Sequence, residues 1–356
     1  AEDGIRDVER SRGLGDVYKR QATQLMKMAL RRCGELGLPI STLFTSYGYV
    51  AHRIYRRLGY ADVIFLSKLI AEEEEVERTL EVLPRDPRVR VRGFRDGDEE
   101  PMLRLYEEWA SGYTGPVKRD LGYWRGKLVE LPRRLFGDAV KILVAERGGE
   151  VVGYAYYAVW SRAGRPVPYP RDSGTIAELV ALDRRVLGTL LREVLLDMRR
   201  SGVKTFTVFA PLHPPYTDLF REFAVLRDGA VYMCNVVDQD RLLESLAPEL
   251  SRRLEEAGVE MHLTLALETP YGATRLRIDG YSVGVERDGG GVDAEIVVRV
   301  AGTFVKLLHG IEDFDEALLR GDIALSPRST SARSLTALAR AMFPRARWFI
   351  WPADRW

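Results

Sequence analysis

Apolar positions early in the chain recur at helical spacing, at Leu25, Met28 and Ala29. After Gly37 they give way to a strand-like run, Ile40-Ser41-Thr42-Leu43-Phe44. A loop and an amphipathic turn follow, ending in Ile54-Tyr55-Arg56-Arg57-Leu58-Gly59-Tyr60. The same order returns downstream: a helix over 186–201, Gly202, the strand Thr205-Phe206-Thr207-Val208-Phe209, and Leu219-Phe220-Arg221-Glu222-Phe223-Ala224-Val225. An offset of 165 residues carries Gly37 onto Gly202 and Tyr55 onto Phe220 with no gap. Helix–Gly–strand is common in any α/β protein, but constant register over about 30 positions argues for duplication.

The second copy is preceded by more periodic sequence than the first. The pattern predicts a strand over Val89–Phe94, helices near Glu99–Trp109 and Leu121–Leu131, a hairpin Lys141–Glu146/Val151–Trp160 around Gly148-Gly149, and a strand Thr175–Leu182. The first copy has only 21 residues ahead of its helix, which is expected to start near Ala22. If the copies were once equal, roughly 75 residues of the first are absent. The strand Ile40–Phe44 then lacks a sheet neighbour, and one face of helix 22–36 lacks cover. Four segments result: 1–21, 22–85, 86–228 and 229–356. Pro84-Arg85-Asp86-Pro87 reads as an exposed joint, and a second boundary falls near Asp228-Gly229.

Composition narrows the class. The 356 residues suffice for two or three domains, and 53 basic against 52 acidic residues predict neither a nucleic-acid footprint nor a basic membrane patch. Cys33 and Cys234 read as buried thiols in a reducing, cytoplasmic setting, and the four scattered histidines suggest no metal. No run of 18 apolar residues or signal peptide is visible.

The order of elements, with the aromatic–basic–basic–apolar–Gly–Tyr ending at Tyr60, resembles the general-control-related N-acetyltransferase (GNAT) family. Residues from about 229 onward resemble the sterol-carrier-like domain of the enhanced-intracellular-survival type of acetyltransferase. The grounds are Met233-Cys234-Asn235-Val236-Val237-Asp238 before a helix from Arg241, the run Ala301–Gly310, and the ending Pro352-Ala353-Asp354-Arg355-Trp356. That type usually ends on Asp, one residue and Phe; Trp356 departs from it. The fold implied is α/β: a partial GNAT unit, a complete but degenerate GNAT unit, and an α+β sterol-carrier-like domain.

The resemblance implies transfer of an acetyl group from acetyl-CoA to a primary amine. Such a reaction needs a base for the amine, a donor for the oxyanion, an acid for the departing thiolate, and backbone N–H groups for the pyrophosphate. Tyr55 is the candidate acid: a phenol, with a pKa of about 10, protonates or hydrogen-bonds a thiolate while staying neutral itself. Phe220 in the second copy cannot donate. The plain alternative is that Tyr55 only packs, since Phe220 shows that a ring suffices. The resemblance assigns the base to the α-carboxylate of the last residue, here Trp356, with a frayed end as the alternative. Ser46, Ala22 and Thr23 are candidate coenzyme contacts, although Ser46 also reads as an ordinary loop serine.

The phosphate-loop pattern of the family, [RQ]-x-x-G-x-[GA], is matched literally by Arg10–Gly15, but this lies several residues ahead of the helix; at the helix itself only Ala22 and Thr23 fit. Residues 1–21 resemble a translated sequencing adaptor. The chain as written is therefore expected to be inactive, its parent an acetyltransferase acting on a small-molecule amine or lysine-like substrate. No nucleic-acid or membrane partner is expected, and self-association is left open. The rivals are an apolar-ligand or lipid-binding protein and a catalytically dead scaffold.

Overall fold

A computed structural model describes residues 20–163, 169–287 and 289–354. The chain divides into two compact units. One holds the residues up to Leu66 together with Gly229–Ala346; the other holds Ser67–Asp228 together with the segment from Arg347 on. These limits differ from those of the repeat, for a reason that lies in strand pairing.

In chain order, the first unit opens with a helix through 20–35 (α1), already formed at Arg20, two residues ahead of the expected start. Gly37, in the left-handed region at φ 70°, ends it and turns the chain into β1, Ile40–Ser46. α2, Val50–Arg57, ends at Gly59 (φ 94°), which leads into β2, Ala61–Ala71. Of the expected buried thiols, Cys234 is buried, whereas Cys33 is only half-buried.

The second unit takes up the chain from Ser67. α3, Glu73–Val82, is capped by a hydrogen bond from the Glu72 N–H to the Glu75 carboxylate at 2.8 Å. There follow β3 (Val89–Gly93), α4 (Glu99–Ala110), α5 (Leu121–Tyr123) and, after a wide helical turn, α6 (Leu131–Phe136). β4 (Val140–Arg147) and β5 (Glu150–Val159) form the expected hairpin, with Gly148 and Gly149 both at positive φ as a two-residue turn requires. β6 (Ser173–Ala181), α7 (Arg184–Arg200), β7 (Thr205–Val208) and α8 (Tyr216–Leu219) complete the order. α7 lies in an apolar core: Val186, Leu187, Leu190, Leu191, Val194, Leu195 and Met198 are all fully buried.

β8, Ala224–Val236, leads back into the first unit. Asp238 then caps α9, Gln239–Ala257, by accepting from the Arg241 N–H at 3.0 Å. A five-stranded sheet follows in the order β11-β10-β9-β12-β13, made of β9 (Met261–Thr269), β10 (Gly272–Gly280), β11 (Ser282–Glu286), β12 (Ala294–Val298) and β13 (Ile323–Pro327). α9, α10 (Ala301–Leu308), α11 (Phe314–Leu319) and α12 (Ala332–Met342) share its core through Leu250, Phe304, Ala317 and Leu338.

Contrary to the expectation from sequence, β1 has a sheet neighbour. It pairs antiparallel with β8, from Ile40↔Val236 to Ser46↔Ala230. In the other unit β7 pairs antiparallel with β2, from Leu69↔Val208 to Ala71↔Phe206. The partner of each short strand is thus the long last strand of the other repeat. The 165-residue offset carries the pair Ile40↔Val236 onto Thr205 and Ala71, and the observed partner of Ala71 is Phe206, one position away. This exchange places the compact-unit boundary inside β2 and not at residues 84–87. That segment was expected to be an exposed joint: Arg85 and Pro87 are exposed, but Asp86 is buried, and its N–H donates to Thr189 Oγ1 at 3.0 Å.

Candidate functional site

In the first unit the candidate residues sit on α1, β1 and α2. Ala22 and Thr23 lie within the first two turns of described helix, not ahead of it. Ser46 is the last residue of β1 and is exposed. Tyr55 lies on α2, half-buried, with its ring centroid 5.8 Å from that of Tyr60; among the described residues its hydroxyl has no hydrogen-bond partner. Trp356 lies outside the described residues, as does the literal phosphate-loop match at Arg10–Gly15.

Two neighbours missed in the sequence brace this region. His52, 2% exposed, places Nε2 2.8 Å from Asp62 Oδ1, and its Nδ1 accepts from the Gly48 N–H at 3.3 Å. The imidazole therefore carries its proton on Nε2 and ties α2 both to β2 and to the turn after Ser46. Tyr55 is one turn further along the same helix. Nothing local in the sequence marks His52 as paired, because its partner is a strand residue ten positions on.

The second unit holds the counterparts, and there the space is filled. Phe220 is 2% exposed and packs edge-on against Phe223 at 5.2 Å. β6 and β7 run parallel from Ser173↔Thr205 to Ile176↔Val208; β7 then stops, while β6 continues to Ala181. Beyond that point the buried Tyr216 hydroxyl donates to the Leu179 carbonyl of β6 at 3.0 Å.

The N-terminus of α7, where a phosphate would be held, is taken up by the protein itself. The Asp183 carboxylate accepts from the Arg185 N–H at 2.7 Å and lies 3.2 Å from Arg147. The backbone hydrogen bond from Arg185 is the main cause that holds Asp183 below the usual carboxylate range. Pro84 lies against the first turns of α7: a Cβ on Gly188 would stand 2.3 Å from the Pro84 carbonyl oxygen. A coenzyme pyrophosphate needs free N–H groups, and here the Arg185 N–H is already taken by the Asp183 carboxylate.

The second unit also contains a buried ionic cluster. Arg119 donates from Nη1 and Nη2 to Glu178 at 2.8 and 2.7 Å, and from Nε and Nη2 to Asp354 at 3.0 and 2.8 Å. Tyr123 donates to Asp354 at 3.0 Å, the Tyr106 hydroxyl donates to the Val117 carbonyl at 2.8 Å with Asp354 a more distant partner at 3.3 Å, and Tyr154 donates to Glu178. The guanidinium also lies over the Tyr106 ring, 3.6 Å from its centroid. Burial pushes Glu178 up, against the pull of Arg119. Burial alone would lower Arg119, but Glu178, Tyr154 and Asp354 together more than reverse it. Glu178 is thus committed on both oxygens and is not a free base. The sequence held one sign of this cluster: Glu178 is a lone charge in the apolar run Ile176–Ala181.

A cleft of about 670 Å³ lies elsewhere in this unit, walled by Phe94, Leu128, Tyr156 and Asp197 among others. Its Lys141 and Asp197 pair with each other at 2.9 Å. Among the described residues no group of three or more His, Cys, Asp or Glu could hold a metal ion, and no helix is long and apolar enough to cross a membrane.

Residues 115–234 match the family model Acetyltransf_17, described as an acetyltransferase (GNAT) domain. No curated protein matches the sequence. Among solved structures, the GCN5-related N-acetyltransferase from Kribbella flavida is 16% identical with a TM-score of 0.60, over 92% of this chain and 74% of that one. The GCN5-related N-acetyltransferase from Anabaena variabilis is 17% identical with a TM-score of 0.60, over 92% and 76%. Eis1 from Mycobacterium abscessus is 19% identical with a TM-score of 0.53, over 92% and 77%. At these identities the structures speak for the fold alone. Residues 115–234 match a GNAT acetyltransferase domain model, in a chain that shares the mixed α/β fold of these proteins.

Proposed function

We propose that the protein belongs to an acetyl-CoA-dependent N-acetyltransferase whose chemistry resides in the first copy of the repeat, with the second copy as a closed scaffold. The observation that carries this reading is the contrast between Tyr55, whose hydroxyl is unpartnered among the described residues, and its counterpart Phe220, a buried ring that has no hydroxyl to donate. Ala22, Thr23 and Ser46 are assigned to the coenzyme, Tyr55 to protonation of the departing thiolate, and the Trp356 α-carboxylate to removal of the amine proton. As the amine nitrogen attacks the thioester carbonyl, its proton passes to the carboxylate. As the C–S bond breaks, the thiolate takes a proton from the phenol. The part with the five-stranded sheet is read as the sterol-carrier-like domain.

The first copy is incomplete among the described residues. Leu25 is 66% exposed and Leu38 is 48% exposed, where their counterparts Leu190 and Val203 are 0% and 2% exposed. β5 and β6 cover the counterparts: a Cβ on Gly153 would meet Leu190 at 2.9 Å, and one on Gly174 would meet Val203 at 3.3 Å. The described residues hold no such strands for the first copy, so turnover by the unaltered chain is not expected. The test is a chain completed ahead of Ala22 with the front half of a related acetyltransferase, assayed for thiol release from acetyl-CoA with a panel of primary amines. Amine-dependent release supports the reading. A folded, coenzyme-binding chain that acetylates none of them argues against it.

A further inference from the structure

Helix α2 carries Tyr55, and its two ends are fastened differently. At the far end the Leu58 carbonyl accepts from Asn235 Nδ2 at 2.9 Å, and the Gly59 carbonyl accepts from the Tyr271 hydroxyl at 3.0 Å. The near end has no ordinary cap. Tyr49, the residue ahead of the helix, makes no side-chain cap hydrogen bond, and the first turn holds no acidic residue. Tyr49 and Val50 are also exposed, so apolar burial does little to hold this end. Within Val50–Arg57, His52 alone is buried.

His52 stands at the third helical position, where a Glu or Gln side chain commonly reaches back to a backbone N–H ahead of the helix. Here an imidazole does so. Its Nδ1 accepts from the Gly48 N–H at 3.3 Å, while its Nε2 donates to Asp62 on β2 at 2.8 Å. The Tyr47 ring lies against it, with 4.8 Å between centroids. Residues three apart on a helix are surface neighbours, so this anchor lies one turn from Tyr55 on the same side. The 165-residue offset makes Thr217 and Arg227 the counterparts of His52 and Asp62. The copy with Phe220 in place of Tyr55 thus lacks this pair as well, and its helix α8 spans only Tyr216–Leu219.

We propose that His52 is a positioning residue for Tyr55: oriented by Asp62, its imidazole ties down the uncapped start of α2 and so fixes where the Tyr55 hydroxyl points. This rests on the acid role proposed for Tyr55 and names the side chain that holds it in place. Without the imidazole, α2 keeps its attachments at Leu58 and Gly59 and is free to swing about that end. A misplacement of about 1 Å costs a reacting group about 10²-fold in rate.

The test begins with hydrogen exchange on the full chain. In His52→Ala the amides of Arg53–Tyr55 should exchange about tenfold faster than in the wild type, or more, with α9 unchanged. Asp62→Ala leaves the ring but removes its orienter and should act in the same direction, which guards against a His52→Ala chain that fails to fold. His52→Gln should restore the wild-type rate, because its amide can accept from Gly48 and donate to Asp62. Unchanged exchange at Arg53–Tyr55 in the alanine variants, an equal loss of protection in α9, or no rescue by His52→Gln overturns the proposal. In the completed chain, His52→Ala should lower kcat by about 10–10²-fold, with no further loss in a Tyr55→Phe background. An equal loss in both backgrounds would show that His52 acts on something other than Tyr55, and overturns the proposal. The acid reading fails separately, if Tyr55→Phe alone leaves kcat intact.

Discussion

The Pro84 carbonyl oxygen stands where a side chain on residue 188 would have to go, 2.3 Å from a Cβ built on Gly188. Pro84 thus packs closely on the second turn of α7, and the Asp183 side chain caps its N-terminus by accepting from the Arg185 N–H. Hydrogen exchange over Asp183–Thr189 is expected to be the same with and without millimolar acetyl-CoA. Slowed exchange there would show the second copy to be open. Gly188→Ala should destabilise by about 1–3 kcal/mol, as overpacking does, measured by denaturant unfolding.

The two helices of the repeat provide an internal control. Leu25 and Leu190 are equivalent, one mostly in water and the other in the core. Leu25→Glu is expected to stay within about 0.5 kcal/mol of the wild type. Leu190→Glu buries an unpaired carboxylate among α7, β5 and β6 and should prevent folding. Comparable losses in both variants, followed by thermal unfolding, would show that α1 is covered after all.

Much of this fold is legible in the sequence, and the parts that are not have one cause. Elements set by local chemistry fall where the pattern predicts them: the Gly148-Gly149 hairpin and the helix ends at Gly37 and Gly202. What the pattern missed is non-local. Neither the pairing of Ile40 with Val236 nor that of Ala71 with Phe206 has a local signature, so the strand exchange was invisible and β1 read as unpaired. The site divides in the same way. Tyr55 stands out because Phe220 occupies its counterpart within the chain, whereas Arg119, Glu178 and Asp354 meet only through folding, across 59 and 235 positions.

A partly buried carboxylate network should shape acid stability. Arg92 forks onto Asp98 at 2.7 and 2.8 Å and reaches Glu146 at 2.8 Å. The Arg92 hydrogen bonds are the main cause that holds Asp98 and Glu146 below their ordinary values. A carboxylate lowered on folding contributes stability that is complete above its unfolded pKa of about 4 and is lost as pH falls through the folded value. Unfolding free energy should therefore decline below about pH 4. Asp98→Asn should cost about 1–3 kcal/mol at pH 7 and flatten that decline. An unchanged acid limb in the variant would mean that this network does not set it.

The proposed division of labour between the copies rests on one hydroxyl, present on Tyr55 and absent from Phe220. The direct measurement is kcat for acetyl transfer by the completed chain, with Tyr55→Phe and Phe220→Tyr made separately. Tyr55→Phe should lower kcat by about 10²–10⁴, the range of a positioned acid, with unchanged melting temperature, and Phe220→Tyr should not raise it. A Tyr55→Phe enzyme within twofold of the wild type, or a gain of activity from Phe220→Tyr, would contradict the account.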